Sequence, residues 1–383
     1  MQYRHFLFGK TELDELYASS LVRHLAMAIV NIFVPIYLYG LGYSIPVILL
    51  FYGLKSCFHA FFAHISAKIS FRLGIKKAIL ASSPFLILYY LLLTQASNAY
   101  VLLPAAVFLG ISDALYWIPF HTYFTKSSDY KNRGKEVGIY DAFVVVASFL
   151  GPLIGVAIFA FYGFSSALLI AGAMIFASAI PLFFTKDSKP RERYRFGRLN
   201  KNLFTASFGN GLRLLADEVA WPIFVFVALG SIAVFGYLVS LGMLVSLATI
   251  AVASFLADKH KKRKMLAAAS VSESALWIAR AFISTLYQFV FAEIIFRIAQ
   301  IIRWLPFQAI YYNKAAASKS IVRYTVQREV GIHTGVAAGA LTAFAIFSLT
   351  GLLQAIFVLG VIGALMHIAI IKKEKKKRKR KTI

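Results

Sequence analysis

The chain is a succession of apolar stretches, most of them long enough to cross a lipid bilayer, separated by short polar breaks. A bilayer core takes roughly 20 apolar residues of helix. Such stretches fall at about 16–41, 46–69, 78–96, 98–123, 137–160, 164–185, 203–229, 231–257, 265–284, 286–312, 330–350 and 352–371. In lipid a spanning segment must satisfy its own backbone N–H and C=O groups, so stretches of this length predict helices. The expectation is an all-α polytopic membrane protein of about twelve transmembrane helices. Composition agrees: 15% of the residues are charged, against roughly 25% in soluble domains. The single Cys57 excludes an internal disulfide. The start, MQYRHFLFGKTELDELYASS, is too polar and acidic for a signal peptide, so the first stretch is expected to be retained as a span. Neither end carries a lipidation signal.

The formal net charge of +25 raises the question of nucleic acid, and the placement of the charges answers it. Lys and Arg outside the spans fall in the N-terminal segment, in the loops after spans 2, 4, 6, 8 and 10, and in the tail from Lys372. The opposite loops (GYSIP, TQASN, YGFSS, GSIAVFG, STLYQ, LTG) carry none. By the positive-inside rule both termini are expected on the cytoplasmic side of the cell membrane, and the span number is even. The basic excess is thus read as topology, reinforced by contact of the tail with anionic lipids, and no nucleic-acid partner is expected.

One ungapped offset carries the first half of the chain onto the second. It places Leu16 on Leu203, Ser20 on Ser207, Leu25 on Leu212, Pro35 on Pro222, Lys77 on Lys264, Tyr100 on Tyr287, Trp117 on Trp304 and Pro119 on Pro306. Matches of apolar residues are cheap in such a chain; matched prolines, tryptophans and a loop lysine are not. Six spans per half is even, so the halves are parallel. The expected division is an N-terminal half at 1–185, a basic cytoplasmic linker at 186–202, a C-terminal half at 203–371 and a basic tail at 372–383. Parallel repeats about an axis along the membrane normal are a transporter architecture with substrate between the halves near the midplane.

With two parallel six-helix halves, the chain resembles the major facilitator superfamily over nearly its whole length. The loop after span 2, AKISFRLGIKK, is similar to that family's G-x-x-x-D-R-x-G-R-K: it keeps Arg72, Gly74 and Lys76 but has Phe71 at the acidic position. The loop after span 8, SFLADKHKKRK, keeps Asp258, Lys259, Lys262 and Arg263. The resemblance implies a cytoplasmic gate formed by Arg72, Gly74, Lys76, Asp258, Lys259 and Arg263, with Asp258 carrying more of the acidic role. The fifth span, ASFLGPLIGV, resembles the exporter pattern g-x-x-x-G-P-x-x-G-G at Gly151, Pro152 and Gly155. Plain close packing of small residues is the other reading, and span 11 has a similar ladder at Gly331, Gly335 and Gly339. NRGKEVGIYDAF resembles the family's R-G-x-x-x-G stretch, and its counterpart QREVGIHTG brings Arg328 and Glu329 to the cytoplasmic mouth, as gate or as solvated loop.

Charges inside a bilayer are costly and mark cavities or partners. They fall at Arg23 and His24 on span 1, Lys55 and His59 on span 2, Asp113 on span 4, and Arg213, Asp217 and Glu218 on span 7. Glu273 and Arg280 lie on span 9, and Glu293, Arg297 and Arg303 on span 10. In the family, helices 1, 4, 7 and 10 line the cavity, and most of these charges fall on them. Arg213 and Asp217, four apart, share a helix face. Glu293, Arg297, Gln300 and Trp304 form one stripe. At ~1.5 Å per residue the span 7 acids and Arg297 reach similar levels.

The expected substrate site is therefore Arg213, Asp217, Glu218, Arg297 and Gln300, walled by Trp117 and Trp304. Asp113, Asp217, Glu218 and Glu293 are candidate proton carriers, since burial favours the neutral form of a carboxylate. Arg23 and Asp113 are expected to pair in the first half. The competing reading makes these pairs purely structural. Arg280, near an outer end, is expected to snorkel to the interface, and His59 and His64 to be packed or interfacial. No metal site and no cofactor are expected.

The expected function is secondary transport of a small molecule by alternating access, driven by protons or another coupling ion, with export ahead of uptake on the fifth-helix resemblance. Mixed charge suggests a polar or zwitterionic substrate. A lipid flippase on the same fold is the alternative, favoured by a lateral apolar cavity. An enzyme is not expected: G-x-x-x-x-G-K-[ST], H-E-x-x-H and G-x-S-x-G are all missing, and Cys57 has no activating frame. The resemblance implies a monomer.

Overall fold

The computed structural model describes residues 12–127, 133–184, 187, 194–259 and 262–371, the side chains of 12–14, 127, 133–136 and 254–259 excepted. Every regular element among them is helical. The first half holds α1 (Glu12–Val30), α2 (Val34–Gly40), α3 (Ile45–Leu73), α4 (Ile75–Leu93), α5 (Leu102–Ser127) and α6 (Arg133–Ser178). The second holds α7 (Lys201–Leu215), α8 (Trp221–Leu229), α9 (Ile232–Lys259), α10 (Lys262–Arg280), α11 (Leu286–Ala316), α12 (Ile321–Thr350) and α13 (Val358–Met366). Large side chains such as Phe61, Phe161, Phe176, Phe282 and Leu349 point outward and stay exposed. In a soluble protein such a surface would drive association; here it meets lipid.

The helices follow the twelve stretches. α1 and α2 form one rod, as do α7 and α8. α6 is two rods joined at Gly163, whose φ of 77° no residue with a Cβ adopts comfortably. Boundaries shift where capping outlasts hydropathy. Ser320 accepts from the Arg323 N–H (3.3 Å) and starts α12 at Ile321, nine residues before the apolar stretch. Thr285 and Gln288 cap α11 reciprocally.

Eight described helices are long and apolar enough to cross a membrane. The rods 201–229, 262–280 and 286–316 are not among them. These three carry Arg213, Asp217, Glu218, Glu273, Arg280, Glu293, Arg297 and Arg303. Their missing hydropathy is the charge of the site.

Both halves break their first rod at matching positions. Pro35 lacks the N–H that would bond the Asn31 carbonyl, and its ring crowds that oxygen; residues Asn31–Phe33 form a 3-10 turn. Pro222 does the same to Glu218, and Ala216–Ala220 widens into a π turn. The repeat offset places Asn31 on Glu218.

Small residues set the close approaches. A Cβ on Gly151 or Gly155 would strike Ala28, Ile29 or Phe33 of the first rod. One on Gly335 would strike the Phe208 backbone of α7. The two glycine ladders thus perform the same packing in the two halves. The halves meet along α3 against α12 and α6 against α9.

Candidate functional site

In the second half the buried charges form a closed ring. Arg213 Nη1 donates to Asp217 Oδ2 (3.1 Å), and Gln300 Nε2 donates to the same oxygen (3.1 Å). Arg297 donates from Nη1 to Gln300 Oε1 (2.9 Å) and from Nε to Glu293 Oε1 (2.6 Å). Arg280 Nη2 donates to Glu293 Oε2 (2.7 Å), and its Nη1 stands 3.5 Å from Asp217 Oδ1, which closes the ring. A branch runs from Arg213 Nε to Glu273 Oε1 (3.8 Å) and from Glu273 to Arg303, with His367 Nε2 3.2 Å from Arg303 Nη1.

The pairing of Arg213 with Asp217 and the stripe on α11 follow the sequence reading. Arg280 does not. It is 1% exposed rather than snorkelled, its guanidinium lying 3.9 Å from the Trp221 ring and 3.4 Å from that of Phe296. Aromatic faces and two carboxylates compensate an arginine that water cannot reach. The signal was present in the sequence: Glu273, Trp277 and Arg280 recur at four and three, a single face of α10.

Glu218 stands apart from the ring. Among the described residues it makes no ion pair, it is exposed, and of the charged side chains Lys55 of α3 acts on it most strongly. It therefore faces the first half across the interface.

The first-half pairing is corrected. Asp113 Oδ2 bonds Lys55 Nζ at 2.7 Å. Arg23 turns instead to the hydroxyls of Ser82 (3.2 Å) and Ser112 (3.1 Å) and to the face of Tyr116 (4.2 Å). Two neutral acceptors and a ring take the Nη groups of the guanidinium, and the carboxylate goes to the lysine.

Trp117 and Trp304, at matched positions, are half-buried and pack against the same hydrophobic cluster, near the end of the bundle where the described chain begins and ends. Trp304 Nε1 donates to Asp141 Oδ2 of α6 (3.1 Å), across the halves. Trp117 stacks on His121, whose Nδ1 is 2.7 Å from the Tyr312 hydroxyl of α11. Asp141 and His121 were not singled out from sequence; nothing in their spacing shows that their partners lie in the other half.

At the gate motif the Asp187 carboxylate accepts from the Lys76 N–H (2.9 Å) and the Lys77 N–H (3.1 Å). It sits on the N-terminus of α4, where a helix favours negative charge. An acid from outside the motif thus stands by the junction of α3 and α4, just past Phe71. Gly74, at φ 112°, leaves the room this carboxylate occupies. Lys76 pairs with Glu15. Arg72 and Arg263 are exposed, and the side chains of Asp258 and Lys259 lie outside the described residues.

Arg328 and Glu329 are not in a mouth loop. The early start of α12 carries them inside, 4% and 3% exposed, bonded to each other at 2.5 Å. His59, wholly buried, stacks on His333. His64 is half-buried, its Nδ1 2.6 Å from the Tyr194 hydroxyl. An apolar groove of about 620 Å³ opens on the flank among α3, α5 and α12, lined by Leu50, Leu54, Cys57, Leu103, Ala337 and Leu341.

A lipid-facing bundle of two six-helix halves, with its charges gathered inside and across the interface, defines a membrane transporter. The Major Facilitator Superfamily profile matches residues 16–231, more than half of the sequence, and the chain belongs to that superfamily of small-molecule transporters rather than to any class of enzymes. The human organic anion transporter MFSD10 superimposes with a TM-score of 0.72 at 13% identity, covering 94% of this chain and 99% of that one. A variant of the E. coli fucose:proton symporter FucP gives 0.66 at 12% identity, covering 94% and 97%. FucP in the outward conformation gives 0.65 at 12%, covering 94% and 98%. At these identities the likeness is one of fold. No curated protein matches the sequence.

Proposed function

We propose that this chain couples the movement of a polar or zwitterionic small molecule to that of protons by alternating access, with Glu218 carrying the proton. The observation behind this reading is the contrast among the acids. Asp217, Glu273 and Glu293 are clamped by arginines, and Asp113 by Lys55. A carboxylate whose oxygens are taken by guanidinium groups has little room for a proton. Glu218 has uncommitted oxygens, lies on the broken part of the rod, and faces Lys55 across the interface. Arg213, Asp217, Arg297 and Gln300 hold the substrate, Trp117 and Trp304 wall it, and Lys55 with Asp113 answers from the first half. Asp217 and Glu293 act with arginine partners and not as free carriers. That FucP is a proton symporter accords with coupling.

The resemblance of 147–156 to the exporter pattern supports export, and the basic loops support a cell-membrane protein with both termini cytoplasmic. On this reading the protein works as a monomer; most of the linker's first part, at 186 and 188–193, and the basic tail at 372–383 lie outside the described residues. Arg72, Gly74, Lys76, Asp258, Lys259 and Arg263 form the cytoplasmic gate, with Asp187 serving it.

The test is proton movement in liposomes loaded with a pH-sensitive dye, screened with pooled metabolites and organic ions. Glu218→Gln is expected to abolish substrate-driven proton flux while leaving substrate exchange intact. Asp217→Asn is expected to lose both. Flux that persists in Glu218→Gln removes it as the carrier. The flank groove supports a second reading, a lipophilic substrate entering from the bilayer, which predicts accelerated movement of labelled lipid in the same vesicles.

A further inference from the structure

The interface holds a cluster that the transport reading does not use. His59 of α3 and Glu329 and His333 of α12 are all buried, and a ligand atom from each lies within 4.8 Å of the others. His59 Nε2 is 3.4 Å from Glu329 Oε2, and His333 Nε2 is 4.0 Å from the same oxygen. The two imidazoles stack with ring centroids 3.4 Å apart. Neither nitrogen of His59 has a hydrogen-bond partner, although the residue is wholly buried. An orphaned polar group in such a place is destabilising. Two buried imidazoles thus share one carboxylate oxygen, and the nitrogens of His59 lack a partner.

We propose that His59, Glu329 and His333 bind a divalent transition-metal ion of the zinc class across the interface of the two halves. Two imidazoles and a carboxylate suit such an ion and do not suit calcium or magnesium, which take oxygen donors. The ligand atoms, all within 4.8 Å of one another, must close toward the ~3.4 Å separation of a tetrahedral site, and the two rings must swing out of their stack to aim both nitrogens at one ion. The surroundings already serve the site. Arg328 Nη1 bonds Oε1 of Glu329 at 2.5 Å and leaves Oε2 toward the histidines. Ser56 Oγ lies 3.3 Å from His333 Nδ1, which orients that ring with Nε2 inward. Partners of this kind fix ligand orientation in metal sites. Two cations stand close, and both are engaged elsewhere: Arg328 on Oε1 and the Tyr311 ring, Lys55 on Asp113. His121 Nε2 is 3.8 Å from Oε1, on the side away from the ligand oxygen. Since His59 belongs to the first half and the other two ligands to the second, a bound ion ties the halves together in this arrangement. Glu329 and His333 are one turn apart on α12, but His59 is far from them in the chain and meets them only through the packing of α3 on α12, which local spacing does not show.

The experiment uses the full chain without affinity tag, stripped with chelator and held in lipid nanodiscs. Zn²⁺ is titrated and counted by elemental analysis, and Co²⁺ is followed through the d–d absorption of a low-symmetry nitrogen–oxygen site. The expected result is one ion per chain in the wild type and in His64→Gln, a histidine on the same helix outside the cluster. His59→Gln and His333→Gln should each bind at least tenfold more weakly, with the cobalt band lost. Zn²⁺ should also raise the melting temperature of the wild type and of neither cluster variant. If a variant does not fold, the other variant and the wild-type cobalt spectrum still decide. No uptake by the wild type, or equal uptake by the cluster variants, overturns the proposal.

Discussion

The two halves superimpose in sequence and differ in what they bury. Under the repeat offset Arg213 falls on Ala26, Asp217 on Val30, Glu273 on Leu86, Arg280 on Leu93, Glu293 on Ala106, Arg297 on Gly110 and Arg303 on Tyr116. The first-half residues with side chains at these positions are almost fully buried in the hydrophobic core. One backbone plan therefore encloses an apolar core in one half and a ring of ion pairs in the other. The fold does not require the charges, since the first half does without them. Buried ion pairs replaced by well-packed apolar residues often leave stability unchanged or raised. The first half's own charges are fewer and sit differently: Asp113 aligns with Gln300, and Arg23 with Asn210.

The strongest way to break the comparison is to open the ring. Glu293→Gln leaves Arg280 and Arg297 without their shared carboxylate, and a loss of about 3–5 kcal/mol is expected. Unfolding in detergent, followed by the fluorescence of Trp221 and Trp277 beside Arg280, measures it; a loss below that of the first-half variants would show the ring to be slack. Next comes conversion of the second half to the first. Glu273→Leu alone should cost about 3 kcal/mol, whereas Glu273→Leu with Arg303→Tyr should recover most of it and keep the fold while abolishing transport. A double variant no more stable than the single one would mean that the halves have diverged in backbone as well as in side chains.

Smaller effects test the other side. Asp113→Asn strands Lys55, but the lysine is partly exposed and retains Glu218 nearby, so about 1–2 kcal/mol is expected. A transport defect larger than that of Asp217→Asn would move the centre of the site into the first half. The least effect is at the gate: Asp187→Ala removes two acceptors from the start of α4, for about 1 kcal/mol. Thermal unfolding unchanged by this variant would leave Asp187 with no part in holding the junction of α3 and α4.

The sequence by itself determined the all-helical class, the apolar stretches the helices follow and the repeat, because bilayer length and backbone satisfaction admit one kind of solution and each is read locally. It also gave the intramembrane charges and the pairs that share one helix, Arg213 with Asp217 and Glu293 with Arg297, since four-residue spacing is local too. Only the tertiary structure decided what lies across helices. It gave Asp113 to Lys55 rather than to Arg23. It sealed Arg280 between Trp221 and Phe296, left Glu218 without an arginine, set Asp187 on α4, and brought His59 to Glu329 and His333. These partners are separated by tens to hundreds of residues. Their meeting depends on rotations and translations of whole rods that glycine ladders and proline breaks fix, and no local spacing encodes such displacements.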